Sequence, residues 1–236
     1  LRNAASWRKA GAFVVEGPVL VAELMNSTLE VRHIIGTRDL LKVHASTGVD
    51  LFDAHHVKLA DALSTQSPQL IAAVVSIPES VDLPAGGALA LVDISDPGNA
   101  GTMMRTAEAG GMSAVLLIGD CVDTWNPKVI RASAGACLRL PVLRMGEDDL
   151  FNAAEAPVVA TVVGAATSYL EADLAAAIIC VGNEAHGLDD AFVQRCSETI
   201  TIPLAGPTES LNVAAAAAIV VFAALEQRRA ITLAGE

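Results

Sequence analysis

Three stretches of the chain set polar residues into otherwise apolar, strand-like surroundings. The first, Asp93-Ile94-Ser95-Asp96-Pro97-Gly98-Asn99-Ala100-Gly101-Thr102-Met103-Met104-Arg105, leaves an apolar run through a Pro-Gly turn. Asn99 stands where a helix N-cap belongs, and Arg105 follows about two helical turns later, which brings it toward the same cleft. The second, Val181-Gly182-Asn183-Glu184-Ala185-His186-Gly187-Leu188, has two glycines that let backbone approach a ligand closely. Its Glu184 sits among apolar residues, a costly place unless it meets hydrogen-bond donors. His186 is a candidate base by residue type, but beside an acid in a loop it reads as exposed. The third, Ile202-Pro203-Leu204-Ala205-Gly206-Pro207-Thr208-Glu209-Ser210-Leu211-Asn212-Val213, puts Ser210 as a natural cap before a very apolar helix. Asn212, a poor helix former, then falls inside that helix's first turn. These three loops hold the chain's unusual polar residues, and the chemistry is expected there. Neither GxGxxG nor GxxxxGK[ST] is present, which argues against dinucleotide or nucleoside triphosphate cradling.

Each stretch follows a run that reads as a strand: Leu89–Ile94, Ala177–Val181 and Thr199–Ile202, beside further runs at Ala114–Ile118 and Val158–Val163. Helical patterns lie between them at Ala100–Ala109, Pro127–Cys137 and Asp189–Cys196. A last helix, from about Asn212 to Arg229, is apolar on nearly all sides and so expected to be mostly buried. Continuous apolar strands alternating with helices predict a parallel sheet covered on both faces, with its ligand at the C-terminal strand ends. Before residue 77 the pattern is a smaller α/β unit: strands at Ala12–Glu16, Val31–Ile35 and Leu70–Val75, helices at Val19–Met25 and Lys58–Leu63. Ser76 to Gly87, rich in Pro, Gly and acids, separates the two. The expected division is residues 1–77, a linker at 78–87, and 88–236.

Of the 236 residues, 53% are hydrophobic and 18% charged, which excludes a disordered chain and supplies a sizeable core. No run reaches the ~18 apolar residues of a membrane helix. The chain opens on Leu1 rather than Met, so some natural N-terminal sequence is expected to precede it. Arg2, Arg8 and Lys9, with no apolar stretch, do not make a signal peptide. Cys121, Cys137, Cys180 and Cys196 form no CxxC pair, so no metal is expected, and the thiols suit a reducing cytoplasm. A net charge of −12 argues mildly against nucleic acid. Distribution matters more, and residues 120–144 carry Lys128, Arg131, Arg139 and Arg144 against Asp120 and Asp123.

Taken together, N-A-G-T-M-M-R at 99–105, V-G-N-E-A-H-G-L at 181–188 and I-P-L…E-S-L-N-V-A across 202–214 resemble, in order and spacing, the three signature motifs of the SpoU (TrmH-like) family of the SPOUT superfamily. N-P-K-V-I-R-A-S-A-G-A from 126 is similar to the family's stretch between its first two motifs. Residues 9–75 resemble, less specifically, its ribosomal-protein-like RNA-binding domain. The resemblance implies an α/β catalytic domain with a C-terminal trefoil knot, an exception to the general absence of knots. It also implies a homodimer and S-adenosylmethionine-dependent methylation of a ribose 2′-hydroxyl in structured RNA, ribosomal rather than transfer RNA.

By the same resemblance, Arg105 acts on the ribose hydroxyl or its phosphate, with Asn99, Glu184, Ser210 and Asn212 orienting it and the substrate. Thr161, Gly182, Ile202 and Leu211 hold the cofactor. Lys128 and Arg131 are the expected phosphate contacts. A guanidinium is a poor literal base, so clamping a phosphate and favouring the alkoxide is the preferred role for Arg105, with a phosphate oxygen or water taking the proton. The family varies at the positions of Ala185 and His186. Two rival classes stand beside this: a non-catalytic RNA-binding or ribosome-assembly factor that kept the fold, and a dinucleotide enzyme of Rossmann type.

Overall fold

The computed structural model describes residues 4–64, 67–79 and 82–234. Arg2, and Ser80 and Val81 of the expected linker, lie outside the described residues. The first part of the chain runs α1 (Ala4–Lys9), β1 (Ala12–Glu16), α2 (Pro18–Met25), β2 (Val31–Gly36), α3 (Arg38–Leu41), β3 (Asp50–Asp53), α4 (His56–Ala62) and β4 (Ile71–Ser76). Its four strands form a mixed sheet in the order β1-β4-β2-β3, with β1 and β2 antiparallel to β4 and β3 parallel to β2.

The rest runs β5 (Ala88–Val92), α5 (Pro97–Ala109), β6 (Ala114–Ile118), α6 (Pro127–Ala132), β7 (Val142–Met145), α7 (Glu147–Ala153), β8 (Val158–Thr161), β9 (Thr167–Ser168), β10 (Ile178–Val181), α8 (Asp190–Arg195), β11 (Glu198–Thr201) and α9 (Val213–Ala234). Seven strands pair in the order β7-β6-β5-β10-β8-β11-β9, every pairing parallel. Both faces of this sheet are covered, as an unbroken apolar strand requires. On β5, Leu89 and Leu91 enter one buried cluster, while Ala88, Ala90 and Val92 enter another on the opposite face.

The first of these clusters continues into the smaller sheet. Phe13, Val15, Val21 and Leu24 share it with Val129, Ile130, Cys137 and Leu138. Phe13 stacks on Trp125 with ring centroids 4.2 Å apart. Arg8 pairs with Asp123 at 2.7 Å, and Arg139 with Glu108 at 2.6 Å and Glu23 at 2.8 Å. Exposed pairs of that kind contribute about 0–1 kcal/mol each. Burying a Phe side chain contributes about 1.5–3 kcal/mol, so apolar packing dominates the contact between the sheets. Among the described residues, no helix is long and apolar enough to cross a membrane.

Several elements depart from the sequence reading. The helix expected over Pro127–Cys137 ends at Ala132, because Ala134 and Gly135 take left-handed backbone (φ 48° and 81°) before a 3-10 turn at Ala136–Leu138. β3, β7, β9, α1, α3 and α7 were not expected. The last helix is not mostly buried: Ala214, Ala217, Val220, Val221 and Ala224 face the core, whereas Phe222, Ile231 and Leu233 are exposed. A helix packed on one side only leaves its other apolar face uncovered.

Candidate functional site

The three polar loops leave the C-terminal ends of β5, β10 and β11; β5 and β10 are neighbours and β11 lies one strand beyond, across β8, so the sheet order brings the loops to one edge. The first begins at Asp93, where backbone in the left-handed region (φ 54°) turns the chain out of β5. Ile94 N donates to Cys121 Sγ at 3.3 Å, and the Cys121 thiol donates to Leu91 O at 3.1 Å. Burial pushes that thiol above its ordinary range, so it stays a neutral pin for the loop. Asp96, not Asn99, caps α5: its carboxylate accepts from Asn99 N at 2.8 Å, and Pro97 takes the first helical position. Asn99 therefore lies within the first turn, and its side chain is free for other partners.

The second loop closes on itself. Gly187 N donates to Asn183 O at 2.9 Å, and Asn183 Oδ1 accepts from Ala185 N at 2.9 Å and His186 N at 3.3 Å. Gly182 is required by this closure, because a Cβ there would run into the backbone of Gly187 and Leu188. In the third loop Asn212, rather than Ser210, caps the helix: its Oδ1 accepts from Ala214 N at 2.9 Å and Ala215 N at 3.3 Å. Both residues are favoured caps, and the one adjoining the apolar run takes the place. Asn212 thus costs α9 nothing as a helix former.

Side chains then join the loops in one direction. Asn212 Nδ2 donates to Asn99 Oδ1 at 3.2 Å, and Asn99 Nδ2 donates to Glu184 Oε1 at 3.1 Å. Asp96 N donates to the same carboxylate oxygen at 3.4 Å. Each amide has one workable orientation here, since its oxygen faces a donor and its nitrogen an acceptor. The relay runs from the amides of α9 to the Glu184 carboxylate and supplies the donors that Glu184 needs.

Beside the relay lies a cavity of about 550 Å³. Thr161, Gly182, Ile202 and Leu211 all line it, as do Glu184, Ser210, His186 and Asp190. Among the described residues, Thr161 Oγ1 is buried without a hydrogen-bond partner, on a residue that lines the cavity. Asn99 and Asn212 stand behind Glu184 and do not line the cavity.

Arg105 is placed differently. Six residues along α5 put it about 9 Å from Asn99 and about 120° around the helix axis. It is exposed, makes no hydrogen bond or ion pair among the described residues, and does not line the cavity. The expectation that it faces the same cleft as Asn99 within one chain is corrected by this helical phase. Lys128 and Arg131 are exposed on α6, between the two sheets and away from the cavity; Arg131 Nη1 reaches Ser64 Oγ at 3.4 Å. Asp93, Asp96 and Asn183, to which the sequence reading gave no role, turn out to shape the loops. Asn183, next to Glu184, carried a usable signal, since Asn readily folds its side chain onto the amides that follow it.

Comparison with known proteins agrees with this geometry. Residues 87–222 match the SpoU rRNA Methylase family. The chain is 34% identical to the 23S rRNA (guanosine(2553)-2′-O)-methyltransferase of Bacillus subtilis, over 91% of this chain and 88% of that one. A TrmH-family structure from Porphyromonas gingivalis superposes with a TM-score of 0.87 at 30% identity, covering 96% of this chain and 94% of the other. The AdoMet-bound rRNA methyltransferase from Sinorhizobium meliloti shares the fold, with a TM-score of 0.83 at 24% identity over 93% and 89% of the two chains. Three loops in family order, a family match across more than half of the sequence and a relative alike over nearly its whole length agree: the chain belongs to the SpoU rRNA methylase family.

Proposed function

We propose that the chain methylates a ribose 2′-hydroxyl of structured RNA, ribosomal RNA above all, using S-adenosylmethionine. The observation that carries this reading is the relay from Asn212 through Asn99 to Glu184, which fastens loops of distant sequence beside one cavity. When bound, the cofactor supplies a methyl group already activated on a sulfonium, so the protein's task is to align and activate a weak hydroxyl nucleophile. Thr161, Gly182, Ile202 and Leu211 would hold it. The cavity lies within the ~300–1,000 Å³ usual for such ligands. The unpartnered Thr161 hydroxyl and the apolar Ile202 and Leu211 side chains fit a flat, partly polar molecule.

Arg105 clamps an RNA phosphate beside the reacting ribose and favours the developing alkoxide, with the proton leaving to a phosphate oxygen or to water. Asn99, Glu184, Ser210 and Asn212 orient substrate and Arg105, and Lys128 and Arg131 hold backbone phosphates farther out. The same reading takes residues 1–77 as an RNA-binding domain, 78–87 as a linker and 88–236 as a trefoil-knotted SPOUT domain. The two separate sheets support that division. It takes the working form as a homodimer in the cytoplasm. Exposed Phe222, Leu211, Val163 and Leu170 offer apolar surface for a second copy, and an exposed Arg105 outside the lining of its own cavity suits a site shared between copies.

The test is incubation with methyl-labelled cofactor and total RNA, followed by mapping of ribose methylation. One labelled 2′-O-methyl nucleotide in ribosomal RNA is expected. Label in transfer RNA alone would change the substrate, and cofactor binding without transfer to any RNA would leave a binding protein.

A further inference from the structure

Half of the hydrogen bonds made by residues 183–187 among the described residues stay within the loop. Asn183 O takes Gly187 N, and Asn183 Oδ1 takes the amides of Ala185 and His186. The loop is thus a small rigid unit, and the bonds that leave it decide how it sits. Among the described residues these are the bonds to the Glu184 carboxylate and one other: Asn183 Nδ2 donates to Asp93 O at 2.9 Å. That acceptor is unusual. Asp93 N still donates to Ile118 O at 3.0 Å, but the left-handed turn at Asp93 ends the ladder there and frees its carbonyl for Asn183. Few residues other than Gly hold such backbone, and Asp is among them because its short side chain can bond locally. Here Asp93 Oδ1 accepts from Asp120 N at 2.6 Å, and Gly119 leaves the space, since a Cβ there would meet the Asp93 carboxylate.

From this we infer that Asn183 is a positioning residue for the proposed reaction: it pegs the Glu184 loop to the end of β5, with the Asp93 carbonyl as its socket. The inference rests on the proposed methyl-transfer reading of these loops. Asn183 has two separable tasks. Its oxygen shapes the turn inside the loop, and its nitrogen fixes the loop to the sheet. Without the peg, Glu184 keeps its shape but loses its aim, and the loop can rotate about the remaining bonds to Asn99 and Asp96. The peg acts through Glu184 and needs no contact with substrate.

Asn183→Asp separates the tasks, because a carboxylate still accepts from Ala185 and His186 but cannot donate to a carbonyl. In the full-length protein, amide exchange read by mass spectrometry is expected to quicken across 182–188 and to stay unchanged in β10. This readout does not depend on activity. With labelled cofactor and ribosomal RNA, kcat is expected to fall about tenfold or more, the worth of one well-placed bond, while the urea midpoint holds. In a Glu184→Gln background the same change should cost no more than about twofold, since the two residues act as a unit. Asp93→Asn keeps both the carbonyl and a side-chain acceptor for Asp120 N, and is expected to stay within about twofold of the parent rate.

Unchanged exchange in Asn183→Asp, or a loss that simply adds to that of Glu184→Gln, would overturn the assignment. A wild-type protein that methylates no RNA would instead remove the methyltransferase reading, and the exchange result would then judge the peg alone.

Discussion

The two ends of the first signature motif differ in what they are tied to. Asn99 is bonded on both sides, to Asn212 and to Glu184, and its backbone amide is held by Asp96. Arg105, on the same helix, is exposed and bonded to nothing among the described residues. A bonded amide has already lost its conformational freedom during folding, so it can fix geometry at no cost when substrate arrives. A free guanidinium keeps its freedom and its full hydration for a partner from outside the chain. The contrast separates the part of the site that folding assembles from the part that substrate completes.

The sharpest way to break it is at the open end. Arg105→Ala removes no hydrogen bond or ion pair made among the described residues, so its urea midpoint should match the parent's and cofactor affinity should stay within about twofold. Turnover should fall about 10²–10³-fold, the range seen when one donor to a developing oxyanion is lost. Arg105→Lys keeps charge without the planar fork and should recover only part of that loss. Labelled-methyl transfer and calorimetry with the cofactor check both. A variant that turns over normally removes Arg105 from the chemistry.

At the bonded end, Asn99→Ala should hurt less but more broadly. Glu184 loses its Asn99 donor and keeps Asp96 N at 3.4 Å, a long bond. A hydrogen bond to a charged group contributes about 1.5–3 kcal/mol, so a fall in kcat of roughly 10–100-fold is expected, together with a measurable drop in stability. Asn212→Ala removes the α9 cap and one link of the relay. It should lower stability by about 1 kcal/mol and turnover by several-fold. If Asn99→Ala and Asn212→Ala add fully when combined, the relay is not a unit.

The same contrast explains what could be read from the chain in advance. Relay residues stood out because amides and a carboxylate occupied places where apolar strands ran into helices, and burial allows few reasons for that. Their partners were less visible, because Ser210 and Asn212 are both good caps and only packing decides between them. Asp96 before Pro97 was the stronger cap signal, since Pro suits the first helical position, yet Asn99 drew attention as a cap type inside the motif. β7 was hidden by Arg144, whose guanidinium donates to the carbonyls of Gly119, Cys121 and Val122 rather than to solvent alone. α7 was hidden because it opens on three successive acids, Glu147, Asp148 and Asp149, with little apolar period; they stand in the first turn of a helix, where acids are favoured. The break after Ala132 had one local signal, Gly135, set among good helix formers. Ala is the best helix former, yet Ala134 takes left-handed backbone just where Gly135 comes close to Leu20 of α2. Arg105 was legible as a residue but not as a direction, because spacing along a helix fixes phase only when the phase is counted.

The far foot of α5 sharpens the comparison most quietly. There Arg139 bonds Glu108, and the Cys137 thiol lies beneath, buried and accepting from Ser133 Oγ at 3.3 Å. Burial pushes its pKa up to about 11 from an ordinary value of 9.0. The folded state therefore holds the proton more tightly than the unfolded chain does. Below pH 9 both states are protonated and the thiol's contribution to stability is fully present. As pH rises from 9 toward 11 only the unfolded chain sheds the proton, so stability falls by up to about 1.4 kcal/mol per pH unit. Other groups titrate in this window, so the measurement is a difference. In Cys137→Ala, stability should be lower at neutral pH, and the alkaline decline between pH 9 and 11 should be shallower than in the parent by about that slope. Urea unfolding at half-unit pH steps checks it. Parallel declines would mean that the thiol meets enough water or positive charge to ionise in place. The foot of α5 would then be as open as Arg105, and apolar packing could not be what seats the helix against the smaller sheet.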